Sequence, residues 1–221
     1  MDFLHMQIQS EAARTPLPLD VLVPNGEHKG PFKSVYLLHD LAGNNTSWMR
    51  KYSLESYIDD AVIIMPSCLN SFYVNMYYGY DMLDYITKEL IEICEGWFDL
   101  DDRRLVAGIG MGGYGAVRAA LAAPKVFKQA ISIDGLLDPG KFYDEPLPAL
   151  KMEDVFGPKE YFYYSDNCLK NAVHGKNLLF TSPPPITLCG KGGQEWQEIL
   201  KAEVVETGNP MEVLAQKVRE L

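Results

Sequence analysis

The stretch from 106 to 117, V-A-G-I-G-M-G-G-Y-G-A-V, carries the spacing with the most chemical meaning in this chain. Two chemistries fit it. Gly110, Gly112 and Gly115 satisfy G-x-G-x-x-G, in which N–H groups at a helix N-terminus hold a dinucleotide pyrophosphate. Asp134, nineteen residues after Gly115, stands where a ribose-binding acid belongs. Gly108-Ile109-Gly110-Met111-Gly112 instead matches the nucleophile elbow G-x-S-x-G, with glycine in the serine's place. The turn that would present a nucleophile is then kept while the acyl acceptor is gone.

Either chemistry needs a strand before the glycines and a helix after them. Arg104–Ile109 predicts that strand, Gly112–Ala123 a helix stopped by Pro124, and Gln129–Asp134 the next strand. Upstream, Ser34–His39 and Ala61–Met65 are short apolar runs, as in strands buried on both faces. Leu19–Val23 alternates weakly and ends at Pro24, like an outer strand. Tyr80–Phe98 places Leu83, Ile86, Leu90, Ile93 and Trp97 at helical spacing. Pro139–Pro158, rich in Pro, Gly and charge, predicts an excursion over the surface. Ile186–Cys189 is the last strand expected, followed by helices over Glu195–Val205 and Met211–Leu221. Alternating strands and helices imply an α/β fold with a mostly parallel sheet covered on both faces.

At 221 residues the chain is read as a single domain over 1–221, with 47% hydrophobic residues to fill its core. A net charge of −10 argues against nucleic acid or an anionic membrane as partner. Cys68, Cys94, Cys168 and Cys189 have neither zinc-ligand nor disulfide-framework spacing, so no metal is expected. Met1-Asp2-Phe3-Leu4-His5 lacks the pattern of a secretory signal, and no apolar run approaches the roughly 20 residues that span a bilayer. These features predict a soluble cytoplasmic protein.

The order of elements weighs against a dinucleotide. Such folds usually open with the glycine unit, whereas about half of this chain precedes it and some fifty residues without a strand follow Asp134. More of the chain is accounted for by resemblance. Val35-Tyr-Leu-Leu-His39-Asp40-Leu41-Ala-Gly-Asn-Asn-Thr-Ser-Trp48 resembles the oxyanion loop of the esterase D, S-formylglutathione hydrolase and tributyrin/acetyl esterase group of α/β-hydrolases. Met65-Pro66, Asn70-Ser-Phe-Tyr73, Tyr78-Gly79-Tyr80 and the elbow, where members read A-G-x-S-M-G-G-Y-G, extend it from Met1 to about Gly190. The resemblance implies an α/β-hydrolase fold with a shortened C-terminal part, backbone oxyanion donors at Leu41 and Met111, and a homo-oligomer.

It also shows what has been lost. The nucleophile's position is Gly110. The family's Gly-x-His-Glu-Trp segment here reads Gly192-Gly193-Gln194-Glu195-Trp196, so the histidine's position is Gln194, which cannot act as a base near neutral pH. The acid's turn is replaced by Cys189-Gly190-Lys191, through deletion or realignment. Removing the nucleophile of such a triad alone costs about 10⁶ in kcat. An inactive relative, binding a small ligand or a protein partner without a cofactor, is the expectation. A carboxylic-ester hydrolase using an unconventional site and a dinucleotide-binding protein remain the alternatives.

Other residues offer partial candidates. His39 fits loop support better than catalysis. His5, His28 and His174 read as surface residues, while Ser71 and Ser132 have no evident base. Cys68 and Cys189 would react only with lowered thiol pKa values. Asp40 replaces the family's glycine beside the oxyanion loop, where a carboxylate disfavours a developing oxyanion. With Asp134 it would either hold a cation, amine or hydroxyl, or simply be solvated or cap a helix. Phe72, Tyr73, Tyr77, Tyr78 and Trp196 read as pocket lining or as core and subunit contacts.

Overall fold

The apolar runs lie side by side in one eight-stranded sheet. The computed structural model describes every residue except 27, 28, 149, 176, 177, 179, 180, 191 and 192; His28 and the Lys191-Gly192 pair therefore fall outside the described residues. The strands are β1 (Asp2–Ser10), β2 (Thr15–Val23), β3 (Phe32–Leu38), β4 (Ala61–Pro66), β5 (Leu100–Ile109), β6 (Gln129–Ile133), β7 (Ile186–Cys189) and β8 (Glu203–Val205). Their order is β1-β2-β4-β3-β5-β6-β7-β8, with β1–β2 and β2–β4 antiparallel and the other pairs parallel.

Alternation along the buried strands divides the core in two. Tyr36, Leu38, Ile64, Val106 and Leu188 face one side, where they meet the helical run of α2 (Met82–Asp84), a π-helical turn (Tyr85–Glu89) and α3 (Leu90–Trp97). The helix α4 (Met111–Ala122) packs on the same side. Val35, Leu37, Ile63, Ala107 and Ile133 face the other side and its smaller cluster. There they meet Trp48, on the short helix α1 (Ser47–Lys51), and residues of the last helix, Pro210–Arg219. Helices on both faces of a mostly parallel sheet are what the alternation of elements predicted.

Three local expectations need correcting. Leu19–Val23 is not an outer strand, because β1 pairs along its whole length and forms the edge. The 139–158 stretch is not simply a surface excursion: Pro139, Gly140, Met152, Val155 and Phe156 are buried. The helix expected over Glu195–Val205 covers only Gln194–Leu200; Lys201 turns left-handed at φ 50° and the chain enters β8. The connection from β7 to that helix is only residues 190–193. Among the described residues, no helix is long and apolar enough to cross a membrane.

Candidate functional site

The centre of the sheet brings together the ends of β3 and β5, which places the loop after His39 against the start of α4. Gly110 is the residue before that helix, with φ 56° and ψ −113°. Its N–H donates to the Ile133 carbonyl at 3.0 Å, and its own carbonyl accepts from Leu136 N–H at 2.9 Å. The chain thus makes the sharp strand-to-helix bend of a nucleophile elbow, in a backbone region that glycine enters freely and other residues do not.

The side chain missing at Gly110 is replaced in space by another. A Cβ built there would fall inside the Asp40 carboxylate, 2.5 Å from Oδ2 and closer still to Oδ1 and Cγ. Asp40 Oδ1 accepts from Leu41 N–H at 2.7 Å and from Met111 N–H at 2.8 Å. Two backbone donors converging on one anionic oxygen is the arrangement that stabilises a tetrahedral oxyanion. Here the oxyanion is the protein's own. The positive end of α4 adds to the attraction. No described residue donates to Oδ2.

His39 holds this loop from beneath. Its Nδ1–H donates to the Asp40 carbonyl at 2.8 Å, and Nε2 accepts from Cys68 N–H at 3.0 Å. Those bonds fix the neutral tautomer, and burial lowers its pKa below the ordinary 6.5. Since the unfolded chain binds the His39 proton more readily, His39's contribution to stability is present above about pH 6.5. It is lost as pH falls towards the lowered folded value. Thermal melts between pH 5 and 7 should therefore show a steeper loss in the wild type than in His39→Gln, and equal slopes would remove this role.

The remaining candidates separate into floor and neighbours. Phe72 and Tyr73 are not open pocket lining. Both are fully buried: Phe72 packs on Tyr114 and Phe156, and the Tyr73 hydroxyl donates to the His39 carbonyl at 2.9 Å. Trp196 is likewise core, with the Lys170 ammonium 5.7 Å from its ring. Asp134 sits at the end of β6, its N–H donating to the Cys189 carbonyl at 2.9 Å, and it does not line the Asp40 pocket. Gln194 donates from Nε2 to Glu206 at 2.7 Å and lies outside that pocket too. Burial pushes the Cys68 thiol well up and Cys189 to about 11, the opposite of activation. Among the described residues no group of three or more His, Cys, Asp or Glu side chains gathers to hold a metal.

Beside Asp40 lies a pocket of about 90 Å³ lined by His39, Asp40, Ser47, Trp48, Lys51 and Ile109. Of the expected pocket residues only His39 and Asp40 line it; Ser47 and Trp48 lie in the oxyanion-loop stretch and Ile109 in the elbow string without having been singled out, and Lys51 lies in neither. Backbone strain marks the strand ends around this pocket as well. Ala42 (φ 56°), Phe72 (51°), Tyr73 (56°) and Asp134 (44°) all adopt the left-handed region at strand ends or in the loops beyond them. Such residues concentrate where a structure over-determines a site.

The dinucleotide motif has a different explanation. A Cβ on Gly112 would meet the carbonyls ending β3, and one on Gly115 would meet the Tyr73 ring. The helix N-terminus that would take a phosphate already holds Asp40. These glycines permit close packing.

The sheet order and the bend at Gly110 define an α/β-hydrolase fold. The chain superposes on a substrate-bound, fluorophosphonate-binding serine hydrolase of Staphylococcus aureus with a TM-score of 0.88 at 20% identity, covering 99% of this chain and 97% of that one. It is similar in fold to the S-formylglutathione hydrolases of Staphylococcus aureus (TM-score 0.80, 21% identity, 99% and 98% covered) and Agrobacterium tumefaciens (0.73, 17%, 99% and 93%). A family model described as "Putative esterase" matches residues 10–198, and the chain belongs to that family. An acetyl esterase of Caldicellulosiruptor saccharolyticus is 34% identical over 116 residues, a match spanning 48% of this chain and 42% of the relative.

Proposed function

We propose that this esterase-family protein is a non-catalytic homologue that binds a small ligand or a protein partner. The observation that carries the proposal is the Asp40 carboxylate, which takes both oxyanion-hole donors and fills the space beside Gly110 where a serine side chain would stand. An ester carbonyl would find no serine hydroxyl at the elbow to attack it, and both backbone N–H groups that would polarise it are already taken by Asp40. Gln194, engaged with Glu206, offers no general base. Association into a homo-oligomer and residence in the cytoplasm, where the four buried free thiols stay reduced, belong to the same proposal.

Purified protein incubated with p-nitrophenyl acetate is expected to give no saturable release of p-nitrophenol above an equal mass of an unrelated protein. Saturable turnover abolished by one pocket substitution would replace this reading with that of an unconventional ester hydrolase.

A further inference from the structure

The pocket beside the elbow has the wrong polarity for an acyl group, and the same feature suits it to another ligand. Oxyanion holes receive oxygen because their N–H donors point into an otherwise uncharged cavity. In this chain both donors end on Asp40 Oδ1, and the group facing outward is a carboxylate whose second oxygen has no donor among the described residues. Ser47 Oγ in the same wall already accepts from Asn44 N–H at 2.9 Å and from Arg50 at 3.3 Å. The Trp48 Nε1–H is spent on the Leu38 carbonyl at 3.1 Å, so its indole lines the pocket as an aromatic surface rather than as a donor.

We propose that this site binds a small primary ammonium group, seated on Asp40 Oδ2 against Trp48 and Ile109. The proposal rests on the non-catalytic reading given above. A charge-assisted hydrogen bond to a carboxylate and a cation beside an indole are both favourable for an ammonium; a neutral donor keeps only the first, and a carboxylate ligand neither. The volume of about 90 Å³ admits a group of a few heavy atoms. Two cationic side chains oppose the ligand: Arg50, which donates to Ser47 Oγ in the wall at 3.3 Å, and Lys51. Lys51 lines the pocket, but its ammonium lies 5.3 Å over the Tyr52 ring. It competes without blocking.

The test is an amide-resonance titration with methylammonium chloride and, separately, sodium acetate at constant ionic strength, following Leu41 and Met111. The wild type is expected to respond saturably to methylammonium and not to acetate. Asp40→Asn, close in shape and still able to accept both N–H bonds, should weaken methylammonium binding about tenfold or more. Asp40→Gly should reverse the preference, because the freed N–H groups then take acetate. Lys51→Gln should tighten methylammonium binding. Saturable acetate binding by the wild type, or an unchanged methylammonium response in Asp40→Asn, overturns the proposal, and Asp40→Asn decides it even where Asp40→Gly fails to fold. Ester turnover would overturn the non-catalytic reading and is measured independently of these titrations.

Discussion

Gly110→Ser, the substitution that restores the family's nucleophile, is expected to lower the melting temperature rather than recover an enzyme. The new Cβ would coincide with the Asp40 carboxylate, and the bend at φ 56° and ψ −113° strains any residue that has a side chain. Relief requires Asp40 to swing away and give up its bonds to Leu41 N–H and Met111 N–H. Strain, crowding and two lost charge-assisted bonds together amount to about 2–5 kcal/mol. For a chain of this size that corresponds to a fall in Tm on the order of 5–15 °C. The cause can be isolated by a double-mutant cycle. Adding Asp40→Gly removes the collision and leaves the two N–H groups open to water, so Gly110→Ser should cost less in that background. A coupling of about 1.5 kcal/mol or more is expected for residues in direct contact. Additive effects would show that Asp40 does not occupy the serine's space. Neither variant should hydrolyse p-nitrophenyl acetate with saturation, since no histidine has been supplied.

That collision also marks the limit of what the sequence could reveal. The elbow was legible because it is local: strand, glycine string and helix follow one another within about twenty residues. The empty positions at Gly110 and Gln194 were legible by resemblance. Asp40 could be singled out as a carboxylate beside the oxyanion loop, and the option that it caps a helix was open. Its bond to Met111 spans 71 residues, however, and depends on the register that sets Leu38 beside Gly108. No spacing rule reaches that far. The aromatic residues illustrate the opposite failure. Phe72, Tyr73 and Trp196 have the types that line pockets, but ring burial is decided by neighbours such as Tyr114, Phe156 and Lys170 from other elements. β1 escaped notice because an edge strand buries little: only Ile8 and Ser10 of its nine residues are buried, which leaves the alternation without a consistent apolar face. β8 was hidden because Lys201 makes the left-handed turn ending the preceding helix, a task usually signalled by glycine.

Gly112→Ala provides the sharpest separation between a cofactor loop and a packing device. In an ordinary helix the change would stabilise by up to about 1 kcal/mol, since alanine has the higher helix propensity. Here the added methyl would overlap the Leu38 carbonyl and stand 2.7 Å from the His39 carbonyl. Neither acceptor can turn aside. The first takes the Trp48 Nε1–H and the second takes the Tyr73 hydroxyl, so the end of β3 is fixed by side chains from two other elements. The helix α4 must move instead, carrying Met111 N–H away from Asp40 and disturbing the elbow. Overpacking against backbone, with those bonds disturbed, should cost about 3 kcal/mol or more in urea denaturation. A glycine kept for a pyrophosphate would behave differently, since alanine would leave the ligand-free protein as stable as before and impair only NADH binding. An unchanged or raised urea midpoint in Gly112→Ala would therefore undo the packing argument, and with it the claim that α4 is pressed onto β3 closely enough for Asp40 to reach both N–H groups.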